Sequence, residues 1–159
     1  MKRLMLHASV ALLLTGLLLF YSCKKTNTNS GQNSFTWTHA GKTFQPTIYA
    51  AYLGPGFTFT PFHIIAGFGN FPTGFDLRID FHLSSFAVGA YSIVPSPATV
   101  NTLYYIDDAG YNLEGISGTV NITANTNNRL SGNFSVTVIN AAAVTSLVTG
   151  SFTEITINP

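Results

Sequence analysis

Ser117-Gly118-Thr119-Val120-Asn121-Ile122-Thr123 recurs as Ser131-Gly132-Asn133-Phe134-Ser135-Val136-Thr137 and, more loosely, as Thr149-Gly150-Ser151-Phe152-Thr153-Glu154-Ile155-Thr156. Each copy is a small hydroxyl residue, a glycine, then apolar and polar residues in alternation. That is the period of a strand with one buried face. Asn/Thr-rich and Ala-rich segments separate the copies, so they read as consecutive antiparallel strands. In the first two copies Ile116, Gly118, Val120 and Ile122, and Leu130, Gly132, Phe134 and Val136, share the inward parity. An inward glycine leaves space for a neighbouring aromatic side chain, which offsets its cost within a strand. In the third copy Val148, Gly150 and Phe152 keep that parity, whereas Ile155 and Ile157 carry the opposite one. The switch predicts a bulge between Phe152 and Ile155 that turns Glu154 outward.

The same alternation runs backwards through the chain. Phe35-Thr36-Trp37-Thr38 is a strand, His39-Ala40-Gly41-Lys42 a turn, and Thr43 to Leu53 a second strand that Pro46 confines to an edge or a late start. Leu53-Gly54-Pro55-Gly56 is a break. A parity switch at Thr60-Pro61 predicts a bulge or kink before Phe62, Ile64, Ala66 and Phe68. Gly89 to Val94 and Thr102 to Ile106 complete the set. About nine short strands and no helix after the N-terminal signal give an all-β antiparallel domain. A β-sandwich is the preferred architecture, with a closed up-and-down, lipocalin-like barrel as the alternative.

Phe75-Asp76-Leu77-Arg78-Ile79-Asp80-Phe81-His82-Leu83 is the most regular strand, apolar at odd positions and Asp, Arg, Asp, His at even ones. Core-to-core pairing with the preceding strand through Phe71-Pro72-Thr73-Gly74 fixes the register, because a one-residue slip would flip every side chain. Phe62 then faces Leu83, Ile64 faces Phe81 and Phe68 faces Leu77. On the other face His63 stands opposite His82, with Asp80 beside them. Side chains so placed are about 5 Å apart at Cβ, which suits a shared metal ion with Asp80 as third ligand, or a proton-sensitive contact. The plainer expectation is a solvated face carrying Asp76, Arg78 and Asp80, with no metal and no cofactor.

Only 8% of the 159 residues are charged, and the chain is one domain by length. Without Lys2 and Arg3 five basic side chains stand against six acidic ones, a net charge of −1, which gives no footprint for nucleic acid. Residues 1–22 have a basic start, Lys2-Arg3, and an apolar run from Ala8 to Phe20 that is shorter than the roughly 20 residues of a spanning helix. The sole cysteine, Cys23, follows it and has no partner for an internal disulfide. Residues 23–34 are a polar tether with a reach of about 18 Å, and 35–159 form the β domain.

The segment Phe20-Tyr21-Ser22-Cys23 resembles a bacterial lipoprotein signal, in the relaxed form seen in Bacteroidetes-type bacteria. The resemblance implies export, cleavage before Cys23 and acylation of Cys23, with palmitate among the acyl groups. Lys24-Lys25 resembles lipoproteins directed to the outer membrane. Anchoring there, facing the periplasm, is expected, with the cell surface as the alternative. Trp37, Gly41, Gly89, Tyr91, Gly118, Gly132, Phe134, Gly150 and Phe152 make the domain similar to small lipoprotein domains of that group to which no activity is attached.

No nucleophile elbow, His-Glu-x-x-His, phosphate loop or dinucleotide fingerprint occurs. Asp107-Asp108 reads as a turn rather than a calcium loop, and Asp107, Asp108 and Glu114 as one loop cluster. The expectation is therefore a non-catalytic binding module for a glycan, a lipid or an envelope protein. Tyr52, Phe57, Phe59 and Phe71, beside Gly/Pro turns, are the candidate aromatic contacts. The second expectation is an assembly lipoprotein acting through an exposed sheet edge, and a small envelope hydrolase is a distant third.

Overall fold

The structure, a computed structural model, describes residues 33–54, 62–68 and 77–159. The regular elements among them are ten strands: β1 (Ser34–His39), β2 (Lys42–Phe44), β3 (Ile48–Leu53), β4 (Phe62–Gly67), β5 (Arg78–Leu83), β6 (Gly89–Ser92), β7 (Thr102–Ile106), β8 (Asn112–Thr126), β9 (Arg129–Asn140) and β10 (Thr145–Asn158). The three copies of the recurring pattern lie in the long strands β8, β9 and β10. The signal segment, Cys23, the expected kink at Thr60-Pro61 and the turn at 71–74 lie outside the described residues.

Local chemistry explains several boundaries. Ala40 and Gly41 both have positive φ, 50° and 77°, and close a two-residue turn whose twist matches the β1–β2 hairpin. The single strand expected from Thr43 to Leu53 is two, β2 and β3, parted around Pro46, which has no N–H for a ladder. β4 and β5 pair in the expected register, Phe62 with Leu83, His63 with His82 and Ile64 with Phe81. The backbone N–H of Phe68 donates to Leu77 O at 3.1 Å.

Pairing is continuous around a closed ring of seven strands, β10-β3-β4-β5-β7-β8-β9 and back to β10. The preferred sandwich therefore gives way to the barrel alternative, with β1–β2 added on β10 and β6 on β8. Two strands turn the corners, and each changes neighbour at a bulge. β8 pairs β7 through Asn112–Glu114 and β6 through Thr119–Ile122, with a register shift between Gly115 and Ser117. β10 pairs β1 up to Thr153 and β3 at Ile157 and Asn158, with a shift between Phe152 and Ile155. A bulge adds local twist and re-aims the strand, so one strand can serve both walls. The β10–β3 contact is parallel, against an all-antiparallel expectation.

The predicted bulge at Glu154 is present. Glu154 is half-buried with φ 53°, its N–H donates to Ser131 Oγ at 2.9 Å, and its carbonyl accepts from Arg129 Nη1 at 2.9 Å. Gly132 and Gly150 lie beneath Phe152 and Phe134, as alternation predicts. Gly118 does not follow that rule. With φ 122° it lies against the Ser135 carbonyl and Val136 Cα, so backbone fills its space. Ile116 is only half-buried, because the bulge resets the parity and sends Leu113 and Gly115 inward.

Aromatic rings occupy the interior. Phe81 and Phe134 meet at 4.7 Å between centroids, Phe35 and Phe152 at 5.8 Å, and Trp37 and Phe44 at 5.3 Å. The buried set extends through Ile64, Ile79, Leu103, Val120, Val136 and Ile155.

Candidate functional site

β5 departs from the expectation of one solvated face. Ile79, Phe81 and Leu83 are buried inside the ring, yet Asp80 and His82 on the opposite face are buried too, at 8% and 4% exposure, and so is His63 on β4, at 3%. The expected exposed charges are thus removed from water at Asp80, while Arg78 is half-buried; Asp76 lies outside the described residues.

The pairing aligns two rows on this outer face. Tyr52, His63, His82 and Thr102 stand side by side across β3, β4, β5 and β7. Ala50, Ile65, Asp80, Tyr104 and Glu114 form the next row and extend onto β8. The His63 and His82 rings meet at 4.3 Å between centroids, and the Tyr104 ring lies 5.1 Å from that of His82. Asp80 Oδ1 is 3.6 Å from His63 Nδ1 and 3.3 Å from His82 Nε2. One donor atom from each of the three residues lies within 4.8 Å of the others.

Two buried side-chain atoms among the described residues make no hydrogen bond of ordinary geometry, Asp80 Oδ1 and Thr102 Oγ1. Both belong to this face, and Thr102 is the register partner of His82. Burial pushes the Asp80 carboxyl up, but the imidazoles of His63 and His82 outweigh it and hold the group below its usual range. An ionised carboxylate between two imidazoles can hold either a proton shared with a ring or a cation bound by all three groups.

Tyr52, expected at a turn, sits within β3 opposite His63 and is half-buried. Phe57, Phe59 and Phe71 lie outside the described residues, as does Cys23. The acidic cluster expected at Asp107, Asp108 and Glu114 is divided. Asp107 Oδ1 accepts from the N–H groups of Ala109 and Tyr111, Asp108 pairs with Lys42, and Glu114 in β8 accepts from the Ser96 N–H.

A second polar group was not evident from the sequence. His39 Nε2 meets Ser146 Oγ at 2.8 Å, His39 Nδ1 meets Tyr105 OH at 3.3 Å, and Trp37 Nε1 donates to Tyr105 OH at 3.4 Å. A Ser–His contact is one part of a nucleophilic site, but such a site orients the imidazole with a carboxylate. Here that place is taken by a phenol whose pKa burial pushes up to about 12. Desolvation lowers the pKa of His39 against weaker opposition from Asp107 and Asp108. The chain of bonds satisfies polar atoms at the edge of the core.

No family model, no curated protein and no solved structure matches this chain.

Proposed function

We propose that the protein is an exported lipoprotein, anchored through Cys23 to the periplasmic face of the outer membrane, whose β-barrel is a non-catalytic binding module. Its binding determinant is the outer face of β3, β4, β5 and β7 around His63, Asp80 and His82. The observation that carries the reading is the burial of three ionisable side chains on the face opposite the packed interior. Burying such groups costs several kcal/mol unless they are fully compensated. Asp80 Oδ1 has the two imidazoles at 3.3 Å and 3.6 Å as its charge partners but makes no hydrogen bond of ordinary geometry, so the group is held together by its own members on a face that contributes nothing to the packed interior. Groups kept at a cost to stability are characteristic of function.

The edge-recruitment reading has less support. The strand order ends in β2 and β6, three and four residues long. Short strands blunt an edge against pairing.

Two measurements test the proposal. Cys23→Ser should abolish incorporation of a fatty-acid label and release the protein from membranes; retained labelling rules the anchor out. Replacing the cluster by His63→Leu, Asp80→Leu and His82→Leu together should leave the ligand-free domain as stable as wild type or up to about 4 kcal/mol more so, as buried ion pairs replaced by apolar groups often do. A loss of several kcal/mol would make the cluster a structural element and end the binding-site reading.

A further inference from the structure

The geometry points to a divalent transition-metal ion as the ligand of this face, held by His63 Nδ1, His82 Nε2 and a carboxylate oxygen of Asp80; the inference rests on the proposal that the face is a binding site. Three features carry it. First, the donor set is two imidazole nitrogens and one carboxylate oxygen. Calcium and magnesium take shells made of oxygen, whereas imidazole suits zinc, copper, nickel and iron. Second, the spacing between the carboxylate and each imidazole is close to what one ion needs. Bonds of about 2.0–2.1 Å at tetrahedral angles put neighbouring donor atoms about 3.3–3.4 Å apart. Asp80 Oδ1 lies 3.3 Å from His82 Nε2 and 3.6 Å from His63 Nδ1, and one donor atom from each of the three residues lies within 4.8 Å of the others. Third, the buried Asp80 Oδ1 lacks an ordinary hydrogen bond at the centre of the group. A bound cation would compensate that oxygen directly.

The scaffold holds the ligands without any loop. His63 and His82 are register partners on adjacent strands, and Asp80 is two residues from His82 on the same face. Interior packing of Ile64 and Phe81 locks that register, since both are completely buried. Three protein ligands leave one position of a tetrahedral shell for water or for a donor atom brought by another molecule. Thr102 Oγ1, also without an ordinary hydrogen bond, belongs to the strand position beside His82 and could bond to an outer-shell group. The exposed Tyr104 and half-buried Tyr52 flank the group on either side.

The test is a titration of the tag-free full chain in detergent with zinc, and with cobalt as a spectroscopic substitute. Wild type should bind one equivalent and give the intense visible absorption of low-coordinate cobalt. His63→Ala, His82→Ala and Asp80→Asn should each weaken zinc binding at least about 100-fold, because removing even an outer-shell partner costs about 10–100-fold. His39→Ala should leave it unchanged. Equal weak affinity in wild type and the three cluster variants overturns the metal inference. If a variant fails to fold, nitrogen-15 shifts of wild-type ring nitrogens on zinc addition decide the matter. Changes at His63 Nδ1 and His82 Nε2 support the site, and changes absent there or centred on His39 overturn it. The triple-leucine comparison reads out independently. If that variant is as stable as wild type but zinc does not bind, the face remains a binding site for another ligand; if it is strongly destabilised, the binding-site reading itself fails.

Discussion

The ring of Phe134 fills the space above Gly150: a Cβ built on Gly150 would lie 2.5 Å from Phe134 Cζ. The two are register partners on β9 and β10, and two pairs further along Phe152 stands in the same way over Gly132. Each strand thus gives the other one glycine and one aromatic. The backbone closes in as well, with the Thr36 and Asn121 carbonyl oxygens 2.3 Å from the added carbons at Gly150 and Gly132. Neither ring nor carbonyl can retreat without moving a strand. Gly150→Ala and Gly132→Ala should each cost about 3 kcal/mol or more, at or above the usual range for overpacking. Urea unfolding followed by Trp37, the sole and buried tryptophan, measures it. Losses below about 1 kcal/mol would contradict the close packing.

At the β10 bulge, two side chains secure the backbone of Glu154, while its own carboxylate has no such part. Ser131 Oγ accepts from its N–H and Arg129 donates to its carbonyl. Ser131→Ala should therefore cost about 1 kcal/mol, an ordinary net hydrogen bond. Glu154→Gln should stay within about 0.5 kcal/mol, as expected for a change away from packed or bonded groups. A larger loss for Glu154→Gln than for Ser131→Ala would locate the anchoring in the carboxylate instead.

The His39 group gives a pH dependence of known sign. Desolvation lowers its pKa from the ordinary 6.5, with Asp107 and Asp108 opposing more weakly. The unfolded chain then takes up a proton before the folded one does. The stabilisation from neutral His39 is complete above pH 6.5 and is lost as pH falls from there through the lower folded value. Unfolding free energies of wild type and His39→Leu from pH 8 to 4 isolate the effect. The advantage of wild type should shrink on acidification; a constant or growing difference contradicts the assignment.

The ladder was largely legible in the sequence because parity is a strict constraint. Matching Ile64 to Phe81 left one register, and the observed pairing of His63 with His82 followed from it. The parity clash between Phe152 and Ile155 likewise announced a bulge. Ring closure was less visible, since it depends on β8 and β10 exchanging neighbours along their length. The fate of the outer face was misread from β5 alone. Its even positions look solvated, but their row-mates Ala50, Tyr52, Ile65 and Tyr104 are apolar or aromatic, and those strands had to be assembled before the pattern appeared. The His39–Ser146–Tyr105 chain had no sequence signal, because its members stand 107 and 66 positions apart.

Two loops of unrelated sequence share one set of hydrogen bonds. In 107–111, Asp107 Oδ1 accepts from the N–H of Ala109 and Tyr111, Gly110 N–H donates to Asp107 O, and Asp107 N–H donates to Tyr111 O. In 140–144, Asn140 Oδ1 accepts from Ala142 and Val144, Ala143 N–H donates to Asn140 O, and Asn140 N–H donates to Val144 O. The fourth residue is left-handed in both, Gly110 at φ 81° and Ala143 at φ 61°. Alanine there costs about 1–2 kcal/mol, while glycine gives back part of that through the freedom it adds to the unfolded chain. Ala143→Gly should therefore stabilise the domain by about 0.5–1 kcal/mol, and Gly110→Ala should destabilise it by a similar amount. Asp107→Asn keeps an acceptor at the same place and should change little, whereas Asp107→Ala removes both bonds and should cost about 1–2 kcal/mol. Urea midpoints of the four variants check the set. A destabilising Ala143→Gly would mean that the alanine methyl makes a contact worth more than its backbone strain.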